Sequence, residues 1–294
     1  MTTQVTEFDS VYMIESLGPN EYRTGRNVYD NVLVPFHEKE PWFEVEHFEA
    51  ADLQSFRQAL QTVLERARAG RVPILHIDAH GSRAGIHLVR EKEPVRWDEM
   101  RETLTAINQA THFRLLVIMA VCKGAYLATI LHPPQPAPAW AVIGAKVDID
   151  NIPMEAGMWM QYEVLLNSQD GDASLKALNA EQNDPAQRYH IISAEQMFHQ
   201  ALRRFFQNRT PEIVRQHEDQ LVAAAAKKWG CLLGPAAVVG VAAKAREIAR
   251  RRLSDEKYWY DFWRPRFLML DRFPENASRF SLTYDDFKTA RDQP

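Results

Sequence analysis

Residues 114–121, RLLVIMAV, are apolar at nearly every position, on both sides of the alternation that a strand imposes. Eight residues are too few for the roughly 20 that a membrane span needs. A strand with two apolar faces must be covered on both, as the inner strands of a parallel sheet are when helices lie above and below. The run ends in Cys122-Lys123-Gly124, so a reactive side chain and a glycine stand where such a strand would leave the sheet.

The chain around this run alternates in the same sense. Residues 11–14 (VYMI) read as a short buried strand closed by Gly18-Pro19, and 42–48 (WFEVEHF) as a second strand. Over 52–69, Leu53, Phe56, Leu60, Val63, Leu64 and Ala67 form one helical stripe, stopped by Gly70. Residues 72–79 (VPILHIDA) predict a strand ending at His80-Gly81, and Trp97, Met100, Leu104 and Ile107 mark another helix. A helix is expected over 125–131, an exposed Pro-rich linker at 132–138 (HPPQPAP), a strand at 139–147 and a helix at 154–167. This succession predicts an α/β fold, a mostly parallel sheet flanked by helices. Near residue 184 the pattern turns helical, with segments at 196–207, 211–229 and 235–253 and an aromatic stretch, YWYDFWRPRFLML, at 258–270. The division expected is residues 1–184 for the α/β domain and 185–294 for a C-terminal helical extension, a regulatory or partner-docking region.

Thirty-five basic against 39 acidic residues give a net charge of −4, which does not point to direct nucleic-acid binding or to an anionic membrane. The two cysteines, Cys122 and Cys231, cannot build a disulfide framework, so a reducing compartment is expected. The first residues, MTTQVTEFDS, lack the basic start and apolar core of a secretory signal. The apolar run at 231–243 is broken by Gly234, Pro235 and Gly240. A soluble, cytoplasmic protein is the expectation. No G-x-x-x-x-G-K-[ST] loop and no C-x-x-C pair occurs. The basic residues at 244–252 are interleaved with Ala and Ile, as on a solvated helix face.

Chemistry concentrates at two strand ends, HIDAHGS (76–82) and IMAVCKGAY (118–126). A thiol nucleophile needs a base to form thiolate and backbone N–H groups aimed at the developing oxyanion. In α/β sheets such groups sit at the carboxyl ends of the strands. Cys122 is the candidate nucleophile and His80 the candidate base, with Gly81 and the amide of Cys122 as candidate oxyanion donors. No metal or other cofactor is required by this pair. Strand alternation puts His76, Asp78 and His80 on one face, about 7 Å apart in succession, so Asp78 is expected to bond backbone rather than the His80 ring.

In order along the chain, RTGR (23–26), DAHG (78–81), GIHL (85–88), VRWDEM (95–100), VCKG (121–124), AVIG (141–144) and SLKAL (174–178) resemble the caspase-like cysteine peptidases of clan CD, most closely their bacterial CHAT branch. The likeness runs from about residue 11 to 178. The Q-A-C-[RQG]-G signature is met only in part, with Ala120 and Lys123 departing from it. The resemblance implies a cysteine endopeptidase in which Cys122 attacks the scissile carbonyl and His80 protonates the leaving amine. It implies a protein substrate and a regulated protease of a bacterial defence or cell-death system. It also implies an activating protein partner or larger complex, which would dock on the C-terminal region. Ala120 removes the acidic floor by which some relatives read a basic residue. Arg23 matches the arginine with which caspases read aspartate, so a substrate contact is implied there, against the plainer reading of a surface arginine or one bridged to Glu38–Glu40.

Two other readings stand beside this one. HIDAH and VDIDN (147–151) echo the D-A-H-x-D and D-x-D runs of arginase-like manganese hydrolases, with His76, Asp78, His80, Asp148 and Asp150 as ligands. Ser82 then stands where that pattern requires Asp. Alternatively the chain is a catalytically silent caspase-like scaffold, an interaction protein whose Trp-, Tyr- and Arg-rich 259–267 segment binds a partner. Simple core packing is the plainer role for those aromatics. If they serve docking, removal of 258–294 would lose activation and keep the fold.

Overall fold

Consecutive apolar residues, buried on both faces, build the central strands of the protein. In the computed structural model, which describes residues 8–129, 131–208 and 255–292 with scattered positions between 212 and 251, eight strands form one sheet. They are β1 (Ser10–Ser16), β2 (Glu44–Glu49), β3 (Pro73–Gly81), β4 (Gly85–His87), β5 (Val95–Arg96), β6 (Leu116–Ala120), β7 (Ala141–Ala145) and β8 (Tyr189–Ser193). The main path runs β2-β1-β3-β6-β7-β8. Its pairs are parallel except the last, where β8 runs antiparallel to β7. The short strands β4 and β5 form an antiparallel extension on the end of β3.

Alternate residues of each inner strand feed two separate cores. Tyr12, Leu75, Val117 and Val142 face one side, with α3 (Leu53–Arg68), α4 (Trp97–Ala110), α7 (Ala194–Gln207) and later α8 (Glu256–Phe267). Val11, Ile74, Ile118 and Ile143 face the other, under α1 (Thr24–Val28), α2 (Val34–Lys39), α5 (Asn151–Ser168) and α6 (Gly171–Ala180). The sheet is therefore sandwiched between two helical layers, as the doubly apolar 114–121 run requires. Local signals agree with this plan. Asp52 caps α3 in a reciprocal box with Ser55, and Phe56, Leu60, Val63 and Leu64 bury its stripe.

Several boundaries differ from the sequence expectation. Where a helix was expected over 125–131, the described residues Gly124–Thr129 form a 3-10 helix, which presses on β7. A Cβ on Gly144 of that strand would lie only 2.7 Å from Ala125 N. The HPPQPAP segment is not simply exposed: Pro133, Ala137 and Pro138 are buried. Asn108 Nδ2 donates to Ala137 O at 3.1 Å, and Ala137 N–H donates to Phe267 O at 2.9 Å. Apolar partners from the far end of the chain thus cover a stretch whose prolines suggested solvent.

The C-terminal region is helical, and it packs on the sheet. The division expected at residue 184 falls between α6 and β8, and β8 continues the same sheet. Tyr260, Trp263 and Phe267 of α8 are buried in the core that α3 and α4 share. These three aromatics pack in the core, whereas Phe262 of the same helix is exposed. Of the helices expected at 211–229 and 235–253 only scattered positions are described, all of them helical, among them Lys244, Arg246 and Arg251 of the basic run; Cys231, Arg250 and Arg252 lie outside the described residues. Among the described residues no helix is long and apolar enough to cross a membrane.

Candidate active site

The register of β3 against β6 places the chemistry. Ile74 pairs with Leu116 and Asp78 with Ala120, so two further steps along both chains bring His80 alongside Cys122. The two residues line one cleft of about 260 Å³ at the carboxyl end of the sheet, together with Glu21, Thr24, Asp78 and Ile149. Gly81 makes the approach possible. A Cβ there would sit 2.1 Å from the carbonyl oxygen of Cys122, a distance no side chain tolerates. The glycine is needed for backbone contact between the two strand ends, beyond whatever its amide does for an oxyanion.

Cys122 sits in the turn between β6 and the 3-10 helix. Lys123 takes a left-handed conformation (φ 59°), and its N–H donates to Val147 O at 3.0 Å. This ties the turn to the loop after β7. That loop is the VDIDN segment, and it supplies the thiol's environment. Burial pushes the half-buried Cys122 thiol above its usual pKa, the Ile149 N–H pulls it down, and Asp148 raises it by charge and by accepting the thiol's hydrogen bond. Lys123 lowers it by less, and its ammonium is paired with Asp148. At rest the sulfur is a thiol, and a base must take its proton.

His80 is largely exposed, and its Nε2 lies 2.7 Å from Glu21 Oε1. The other Glu21 oxygen accepts the Gly18 N–H. These two bonds, from Gly18 first and His80 second, hold the Glu21 carboxyl below the usual carboxylate range. Sequence reasoning missed Glu21, Asp148 as a thiol partner and Ile149. The Gly18-Pro19 turn was visible, but nothing in the sequence tells that it folds Glu21 back over the end of β3.

Asp78 is fully buried. It accepts from the Thr24 hydroxyl and from the Gly25 N–H, so the expected backbone bond is joined by a side-chain one. Burial raises its pKa to about 7. Arg23 is not among the cleft-lining residues. Its Nε donates to Glu15 Oε2 at 2.5 Å, and its Nη2 meets Glu49 Oε1 at 2.9 Å. The guanidinium bridges β1 and β2 rather than the 38–40 loop.

The five residues of the manganese reading separate. His76 Nδ1 lies 2.9 Å from the Tyr162 hydroxyl, and burial lowers its pKa to about 3. Asp78 is held by Thr24, His80 by Glu21, and Asp148 by Lys123. Asp150 precedes α5 and accepts from Gln187 Nε2 at 3.2 Å. Among the described residues no three His, Cys, Asp or Glu side chains form a group that could hold a metal ion. No protein-family model matches the chain, and no curated protein does.

Proposed function

We propose that the protein is a caspase-like cysteine endopeptidase that hydrolyses a peptide bond with the pair His80 and Cys122. The observation that carries this reading is their convergence. They stand 42 residues apart in sequence, at the carboxyl ends of adjacent parallel strands, and line one cleft. Glycine alone lets their backbones meet. A mostly parallel sheet between helical layers is also the setting that the resemblance implies.

The steps use groups in place. His80 takes the Cys122 proton, Sγ attacks the carbonyl carbon, and the oxygen of the tetrahedral intermediate is held by backbone N–H groups, with Gly81 and Cys122 as the candidates. His80 then gives the proton to the leaving amine, and water attacks the thioester to free the enzyme. An activating partner and a defence or cell-death setting belong to the same proposal, on resemblance alone. The test is covalent capture. A peptidyl vinyl sulfone should label Cys122 of the wild type, found by peptide mapping, and label His80→Ala far more slowly. Equal labelling of both proteins would refute the pair.

A further inference from the structure

We infer that Glu21 is the positioning residue of the site, acting through His80 as the third member of a Glu21–His80–Cys122 relay. The inference rests on the peptidase reading and adds a residue that the dyad leaves without a part. Glu21 lies in the loop between β1 and α1, far in sequence from both partners. Both of its oxygens are fixed. One takes the Gly18 N–H, inside a turn that the Glu21 N–H closes by donating to Gly18 O at 3.0 Å; the other faces His80 Nε2 at 2.7 Å.

An ionised carboxylate can only accept hydrogen bonds. The proton of the neutral His80 ring is therefore on Nε2, and Nδ1 is the nitrogen left to take a proton from sulfur. When the Cys122 S–H bond breaks, the proton moves to Nδ1 and the electron pair stays on sulfur. Imidazolium then faces Glu21, which remains ionised throughout. The carboxylate stabilises that cation more than the neutral ring, so it favours the thiolate–imidazolium form. When the amine leaves, the Nδ1 proton goes with it and the starting tautomer returns.

The groups that face His80 come from every side of the cleft. They are Glu21 from the β1–α1 loop, Asp78 on its own strand, His87 opposite it on β4, and Cys122 with Lys123 and Asp148 beyond it. Of these, Glu21 is the one that holds the ring.

The experiment follows the rate of Cys122 alkylation by iodoacetamide against pH, read by peptide mass spectrometry, in wild type, Glu21→Gln, Glu21→Ala and His80→Ala. Thiolate should appear later in both Glu21 variants, with the profile moved upward by about one pH unit, or about tenfold slower labelling near neutral pH. Rates at strongly alkaline pH, where the thiolate forms unaided, should match the wild type. A merely structural loss would instead change the rate at every pH. If His80→Ala shifts the profile and both Glu21 variants track the wild type, the role of Glu21 is refuted and the pair survives. If His80→Ala itself tracks the wild type, the pair is refuted too.

Discussion

Single side chains decide whether the thiol is ready. The Asp148 carboxylate raises the pKa of Cys122 and occupies the Lys123 ammonium, so Asp148→Ala removes an anion from near the sulfur and releases a cation toward it. Alkylation of Cys122 near neutral pH should rise about tenfold, the size of one pKa unit; an unchanged rate would mean that burial alone sets the thiol. Gly81→Ala should destabilise the fold by about 3 kcal/mol, the upper end of ordinary overpacking, in denaturant melts, because its Cβ meets the Cys122 carbonyl oxygen. Asp78 makes a pH prediction. Its folded pKa, about 7, lies above the ordinary 3.8, so between those values the native state binds a proton that the unfolded chain has lost. Its contribution to stability is full at low pH and fades as pH rises through that window. Asp78→Asn removes this dependence. The stability of the variant relative to wild type should therefore improve as pH rises from about 4 to about 7, measured by urea unfolding at each pH; a flat difference would contradict the assignment.

At the scale of elements, Arg23 shows what the strands ask of the loop that follows them. Glu15 is buried on β1; burial raises its pKa, but hydrogen bonds from His47, Arg23 and the Arg26 N–H outweigh it and keep the carboxyl below its usual range. Arg23→Ala removes one of the partners of that carboxylate, leaving His47 and the Arg26 N–H, and should cost about 1–2 kcal/mol, seen as a lowered unfolding midpoint, while Cys122 alkylation in the folded protein persists. The inner strands were legible because they are apolar at consecutive positions, on both faces, as in 114–121, and α3 was legible from its stripe and Asp52 cap. β8 was not. Its five residues, YHIIS, become a strand through antiparallel pairing with β7, a partner 44 or more residues away. His80 and Cys122 were readable as strand-end residues; Glu21 was not, because its link to His80 spans 59 residues through a loop. Asp148 was noticed for a metal-like spacing, and its place beside a thiol emerges only when β7 lies next to β6.

At the scale of the whole molecule, the distant C-terminal helix α8 shares a core with α3 and α4. Cutting the chain before Glu256 would remove Tyr260, Trp263 and Phe267, now buried, and uncover the core that they fill. At about 2 kcal/mol for each ring, the loss approaches the entire stability of many domains. The truncated protein should lose its cooperative thermal transition, whereas a sharp wild-type-like transition would mean that the helix is dispensable. One sheet therefore carries the cleft at its end and packs the C-terminal helix on its face. The most direct test of the central claim compares wild type, Cys122→Ala and His80→Ala on candidate protein targets, with and without chelator, reading new chain termini by mass spectrometry. The account expects cleavage by the wild type that is lost in both variants and indifferent to chelator. Cleavage that survives in Cys122→Ala, or that chelator abolishes, would contradict it.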